Sequence, residues 1–134
     1  MIDYLNEIFT AVATSLRKGH AGITVTGEYT RMPSKFPAVT LNEIENVTVD
    51  ELEDSSAAEQ YSALTYRLQI FSNKQSGKKA EARAIFATAD RVMRGLGFRR
   101  ITYTTTPEIY ESTIYSITAT YEAIADADGV IYRR

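Results

Sequence analysis

The chain has 134 residues, of which 44% are hydrophobic and 24% charged, and it contains no cysteine. These values fit one globular domain with a core of its own, and they exclude disulfides and thiolate metal sites. The net charge of −2 argues against broad nucleic-acid binding. No apolar run approaches the roughly 18 residues of a membrane span, and no secretory signal is visible, so we expect a cytoplasmic product.

The first third of the chain predicts one helix and two strands. Apolar side chains recur at helical spacing in Ile2–Lys18, and Gly19 is suited to end that helix in the left-handed conformation. Alternation in Ile23–Gly27 predicts a short strand, and the two prolines in Glu28–Pro37 predict a loop. A longer alternating segment, Ala38–Val49, predicts a second strand. Its alternation changes phase in the middle, which either a β-bulge or a loop break explains.

The next segment, residues 50–60, is acidic and has no apolar periodicity, so we expect a flexible loop. Its carboxylates, together with Glu43 and Glu45 before it, could in principle chelate a cation or act as acid and base. No neighbouring histidine or lysine defines such roles, and solvated loop charge is the simpler interpretation. Docking on a partner is the other use that we expect for Asp50, Glu51, Glu53 and Asp54.

The second half of the chain predicts the strand Tyr61–Ser72, the helix Lys78–Leu96 and two or three further strands. Two of these are Phe98–Thr106 and Tyr110–Ala123, and Val130–Tyr132 is the candidate for the third. Either Gly95 or Gly97 ends the helix, in which Asp90 is placed to pair with Arg94. Together the elements predict one α+β domain. Its sheet is antiparallel or mixed, with both helices packed against it.

Motifs that could carry covalent chemistry or hold a cofactor are incomplete. His20 is the one histidine and has no second ligand or nucleophile beside it, so we expect a surface turn residue. The run Ser76–Lys79 lacks the spacing of a phosphate-binding loop. The turn Asp126–Gly129 lies too close to Arg134 for a calcium loop. We therefore predict no catalytic residues, no cofactor and no metal.

Two pairs of basic residues stand at predicted strand ends. Arg99 and Arg100 follow the helix, and Arg133 and Arg134 end the sequence. Charge complementarity suggests that they pair with the acidic loop of a neighbouring subunit. Exposed strand-end arginines without a partner are the alternative. The candidate interface residues are therefore Asp50, Glu51, Glu53, Asp54, Arg99, Arg100, Arg133 and Arg134.

Several segments resemble the tail terminator family of long-tailed bacteriophages, also called tail completion or head-tail joining proteins. The resemblance rests on the amphipathic N-terminal helix, on the helix Lys78–Leu96 with Ala84-Ile85-Phe86 and Val92-Met93, and on the closure Leu96-Gly97-Phe98-Arg99-Arg100. It continues in the strand Ile117–Ala123 and in Ile131-Tyr132-Arg133-Arg134. These segments span most of the chain, although the middle, Glu28–Glu59, carries no mark of the family.

The resemblance implies a structural protein that is not an enzyme. It implies a ring, usually of six subunits, that caps the tail tube, stops its polymerisation and provides the surface on which the head docks. The partners would be further copies of the chain, the tail tube protein and the head-tail connector proteins. DNA would pass through the ring without specific binding, and the protein would reside in the virion after assembly in the host cytoplasm. A head-closure or connector protein of the neck is the nearest alternative, and a small ligand-binding α+β domain is a more distant one.

Overall fold

Two helices cover one face of a six-stranded mixed sheet. The computed structural model describes residues 2–28, 33–49, 61–105, 114–126 and 131–133. The helices are α1 (Leu5–Gly19) and α2 (Lys78–Gly95). The strands are β1 (Thr24–Thr26), β2 (Ala38–Thr48), β3 (Tyr61–Ser72), β4 (Arg99–Thr105), β5 (Tyr115–Asp126) and β6 (Ile131–Arg133). The fold is therefore α+β, as the sequence predicts.

The sheet has the order β1-β2-β3-β5-β4, and β6 pairs with the end of β5 beyond β4. The pairing of β1 with β2 is parallel, and the others are antiparallel, so the sheet is mixed. The two longest strands, β3 and β5, lie side by side at its centre. The predicted acidic loop and residues 106–113 and 127–130 lie outside the described residues.

The core lies between the helices and the face of the sheet that they cover. Along β3 and β5 every second side chain is buried, which is the period-two pattern of a strand with one covered face. Apart from the buried Phe71, the opposite face is half-buried along both strands and carries mainly threonine, serine and charged side chains. The fully buried apolar side chains of the two strands are Leu64, Tyr66, Leu68, Ile70, Ile117, Ala119, Tyr121, Ala123 and Ala125.

Two bulges interrupt the antiparallel register. The first lies between Glu43 and Glu45 of β2, so the phase change in this segment is a bulge and the strand continues through it. The second lies between Arg100 and Thr102 of β4. Because one extra residue is inserted there, Arg100 and Tyr103 face the same side of the sheet, the side that α2 covers. The alternation of the sequence does not reveal this second bulge.

The helix ends differ in part from the prediction. The first helix begins at Leu5, whose N–H donates to Asp3 Oδ1 at 3.1 Å. The prediction for Gly19 was wrong, because Gly19 is the last helical residue and the extended His20 follows it. The left-handed glycine of this turn is Gly22, with φ of 77°. Neither helix in the described part of the chain is long and apolar enough to cross a membrane.

Of the two candidate glycines, Gly97 is the left-handed residue that closes the second helix, two positions after its last helical residue, Gly95. Gly97 has φ of 104°. Its N–H donates to Arg94 O at 3.1 Å, and the Phe98 N–H donates to Met93 O at 3.0 Å. This is the Schellman arrangement, which satisfies two carbonyls at the helix end and needs a left-handed residue. The turn leads the chain directly from α2 into β4.

Opposite effects are expected from adding a methyl group at the two glycines. Gly97→Ala places a β-carbon on a left-handed residue, and we expect it to lower the free energy of unfolding by about 1–2 kcal/mol. Gly95→Ala is the matched control, since Gly95 is helical and no atom would lie within 4 Å of its new β-carbon. This control should raise stability by about 0.5–1 kcal/mol. Urea denaturation of both variants measures the difference, and equal effects would contradict the described helix end.

Candidate functional site: an arginine groove and an acidic edge

The structure separates the residues that the sequence predicts at an interface. Arg99 and Arg100 lie in β4, where they pair with Glu122 and Tyr121 of β5 and so face opposite sides of the sheet. Arg133 lies in β6, with its backbone paired to Ala123. The remaining candidates lie outside the described residues: Asp50, Glu51, Glu53, Asp54 and Arg134. Their predicted role at an interface stays a prediction.

Strand β4 forms one lateral edge of the sheet. It pairs with β5 on one side, and no described strand pairs with it on the other. All seven of its residues are exposed, including the large apolar side chains of Ile101 (39%) and Tyr103 (41%). An exposed edge with unpaired backbone groups is a site where another chain can pair or pack.

A groove of about 650 Å³ runs between α2 and this edge strand. Its walls are Arg83, Phe86, Ala87, Asp90, Arg91, Arg94, Arg100 and Tyr103. The residues from α2 recur every three or four positions, which places them on one face of the helix. The bulge in β4 turns Arg100 and Tyr103 towards that face. We call this surface the arginine groove, because four of its eight lining residues are arginines.

An aromatic pair supports one guanidinium of the groove. The rings of Phe86 and Tyr103 meet edge to face, with 4.8 Å between their centroids. The Arg100 guanidinium carbon lies 5.5 Å from the Phe86 ring centroid and 6.0 Å from that of Tyr103. The face of an aromatic ring carries partial negative charge and attracts a cation at this distance. The aromatic pair therefore helps to hold Arg100 in place.

Asp90 ties the groove to the core. Its Oδ1 accepts hydrogen bonds from the Tyr121 hydroxyl at 2.7 Å and from Arg100 Nη1 at 3.0 Å. The predicted ion pair between Asp90 and Arg94 is present, with 3.9 Å between Arg94 Nη1 and Asp90 Oδ2. Because the Arg94 side chain is 54% exposed, this ion pair contributes little to stability. Burial raises the pKa of Tyr121, and so do its hydrogen bond to Asp90 and the charge of that carboxylate. Tyr121 therefore stays protonated and donates to Asp90.

The groove carries more positive than negative charge. Asp90 is the single carboxylate among its lining residues, against four arginines. Within the described residues, Arg83 and Arg91 have no ion-pair partner, and both are exposed. Their helical spacing from Arg94 is visible in the sequence, but only arginines at strand ends were predicted to lie at an interface. Arg100 was among the predicted residues, although its partner within the chain was not foreseen.

The opposite lateral edge of the sheet is acidic. Strand β1 covers only Ala38–Thr40 of β2, so the rest of β2 has no described strand on its outer side. Two large apolar side chains are exposed there, Ile44 (40%) and Val47 (51%). The Asn46 side chain donates to the Ile2 carbonyl at 2.6 Å, which places the start of the chain beside this part of β2.

The start of the chain adds carboxylates to those of β2. Tyr66 donates its hydroxyl hydrogen to Glu43 Oε1 at 3.2 Å, and the charges of Asp3 and Glu7 act on the same tyrosine. Burial raises the pKa of Glu43, the Tyr66 hydrogen bond opposes this, and the charge of Asp3 adds to it. Glu45 is exposed just beyond the bulge. We call Asp3, Glu7, Glu43 and Glu45 the acidic edge.

The side chains of the arginine groove and the acidic edge are of types that bind other molecules. Guanidinium groups on a helix face recognise carboxylates or phosphates. The described residues contain no group of three or more histidine, cysteine, aspartate or glutamate side chains that could hold a metal. His20 is half-buried, and its Nε2 lies 3.0 Å from Thr88 Oγ1, so it connects the end of α1 to α2. His20 is therefore more buried than the surface position that the sequence predicts.

Fold and surface together define an α+β domain with two oppositely charged sheet edges, along which no further strand pairs in the described part of the chain. The same fold occurs in a chain of the solved structure "Virion of native gene transfer agent (GTA) particle". The two chains superpose with a TM-score of 0.59 and 15% sequence identity, over 93% of this chain and 100% of the other. No protein-family model and no curated protein matches the sequence. At this identity the likeness concerns the fold.

Proposed function

We propose that this protein is a structural subunit of a phage-like virion, and that within it the protein acts as a tail terminator. The observation that carries the proposal is the shared fold with a virion chain, which extends over nearly the whole of both chains. The resemblance of the sequence to tail terminators points the same way. Neither depends on a catalytic group, and we propose no enzymatic activity and no cofactor.

The open edges suit such a role. A subunit that exposes a full edge strand with two large apolar side chains risks uncontrolled association unless a neighbour covers it. We propose a head-to-tail ring of six subunits. In such a ring, one sheet edge of each subunit is covered by the opposite edge of the next subunit. Such a ring would cap the tail tube, end its growth and offer its upper side to the connector of the filled head. The protein would then reside in the virion tail or neck after assembly in the host cytoplasm.

Capping of tail tubes is the test of this function. We expect the purified protein to form rings, seen by light scattering after gel filtration and by negative-stain imaging. Added to polymerising tail tube protein from the same particle, it should give shorter tubes that carry a ring at one end. A matched reaction with an unrelated protein of the same charge controls for nonspecific arrest. Tubes of unchanged length without end rings would contradict the proposal.

The same experiment separates the alternatives. A head-closure or connector protein would assemble with portal complexes and leave tubes uncapped. A small ligand-binding domain would do neither, and the arginine groove is the surface where its ligand would be sought by calorimetry. Binding of an anionic metabolite without any effect on tubes or portals would favour that reading.

A further inference from the structure

We propose that the arginine groove and the acidic edge are the two halves of one head-to-tail interface between copies of this chain. The groove of one copy would receive the acidic edge of the next. The idea of a closed ring rests on the proposed function, whereas the contact between the two surfaces rests on the observations that follow. The occupant of the groove is thus a second copy of the chain.

Exposed apolar side chains point to the same two surfaces. Among the described residues, the large hydrophobic side chains that remain exposed are Ile44, Val47, Ile101 and Tyr103. Ile44 and Val47 lie on the part of β2 that β1 does not pair with, and Ile101 and Tyr103 lie on β4. Every such side chain therefore belongs to one of the two sheet edges. Apolar groups left exposed beside charged groups are typical of surfaces that bind another protein.

The charges of the two surfaces are complementary. The groove presents Arg83 and Arg91, which have no ion-pair partner among the described residues. The acidic edge presents the exposed Asp3, Glu7 and Glu45. Opposite charges across an interface set the orientation and suppress wrong pairings.

Most of both surfaces lies on the helix-covered side of the sheet, whereas Glu45 of the acidic edge is paired with Thr65 and faces the other side. Arg100 and Tyr103 face the helix-covered side of the sheet, and α2 supplies the rest of the groove. Glu43 is paired in register with Tyr66 and faces that same side, beside the start of α1. When two copies lie edge to edge in the same orientation, the groove of one meets the acidic edge of the other. Within one copy two strands, β3 and β5, separate β2 from β4 in the sheet order.

Such a contact is heterologous, because it joins two different surfaces. Heterologous contacts close into a ring when the rotation between subunits allows it, and otherwise they continue as a filament. Each subunit then uses both of its edges once. This arrangement fits the sequences of β2 and β4, which contain no proline, one of the usual devices at free edges.

A charge-swap experiment tests the proposal. The groove variant carries Arg83→Glu and Arg91→Glu, and the edge variant carries Glu7→Arg and Glu45→Arg. All four side chains are exposed, so both variants should fold, which circular dichroism and thermal unfolding would verify. Alone, each variant brings like charges together at every contact. We expect self-association to weaken at least about tenfold for each, measured by light scattering and sedimentation.

Mixing the two variants should restore association. In an alternating assembly, the reversed groove meets the reversed edge, and the native groove meets the native edge. The double substitution Lys18→Glu with Lys74→Glu is the matched control, since both lysines are exposed and lie outside the two surfaces. It should self-associate like the wild type. Restored assembly in the mixture, with an unaffected control, is the result that supports the proposal.

Other outcomes would overturn it. Variants that associate like the wild type would exclude these surfaces from the interface, and so would a wild-type chain that stays monomeric up to its solubility limit. If the groove variant loses only binding of a short DNA duplex, the groove is a phosphate site instead. Tube capping without an effect of the charge swap would retain the proposed function and reject this interface. If association depends on these charges but the protein does not cap tubes, the interface is retained and the proposed function is rejected.

Discussion

Leu68→Ala is expected to lower the free energy of unfolding by about 2–5 kcal/mol. Leu68 is fully buried at the centre of β3, and its register neighbours are Leu41 on β2 and Ala119 on β5. Because Ala119 is small, it cannot fill the space that the leucine leaves, so a cavity remains under the helices. Urea denaturation with a common slope for both proteins measures the loss.

Thr65→Ala is the matched control for this cavity. Thr65 lies on the same strand but on the half-exposed face, where truncation changes mainly the strand preference, worth less than about 1 kcal/mol. The contrast between the two variants reports which face of the sheet the helices cover. If the threonine variant lost as much stability as the leucine variant, the described packing of the sheet would be wrong.

Asp90→Ala is expected to cost about 1–3 kcal/mol, although the residue belongs to a surface groove. The substitution leaves the hydroxyl of the fully buried Tyr121 without its acceptor and removes the carboxylate that Arg100 contacts at 3.0 Å. Asp90→Asn keeps an oxygen acceptor for Tyr121 and loses only the charge, so we expect a smaller cost. Thermal unfolding of the two variants separates the cost of losing the hydrogen-bond acceptor of Tyr121 from the cost of losing the negative charge beside Arg100.

A double-mutant cycle isolates the contact between Asp90 and Tyr121. Tyr121→Phe removes the buried hydroxyl, so adding Asp90→Ala to it should cost less than Asp90→Ala alone. The difference is the coupling energy of a hydrogen bond to a charged group. Additive effects of the two substitutions would mean that the contact does not stabilise the fold. In that case the groove would be held by Arg100 and the aromatic pair alone.

The elements with the strongest local pattern were predicted well. Alternation over Tyr61–Ser72 predicts β3 with the same bounds, and the apolar stripe of Lys78–Leu96 predicts α2 to within one residue. The short last strand was also predicted, with a shift of one residue. Patterns of this kind repeat every two or three to four residues, so a dozen residues suffice to establish them.

The misses involve contacts between distant or weakly patterned residues. Gly19 looked like a helix stop, but the chain takes its left-handed turn at Gly22 instead. Strand β1 has three residues, and nothing in them indicates that its pairing with β2 is parallel. The arginine groove was missed because α2 and β4 create it together. The bulge that turns Arg100 towards Asp90 leaves no mark in the alternation of β4.

By itself, the sequence determined the local elements, the α+β class and the absence of cysteine chemistry. These follow from periodicity and composition, which act over a few neighbouring residues. The order of the strands, the two open edges and the separation of basic from acidic surface were decided only in the tertiary structure. They depend on which strand lies beside which, and that choice is made by burying the shared core of β3, β5 and the two helices. Arg100 and Asp90 meet for that reason, ten residues apart in the chain and across the turn at Gly97.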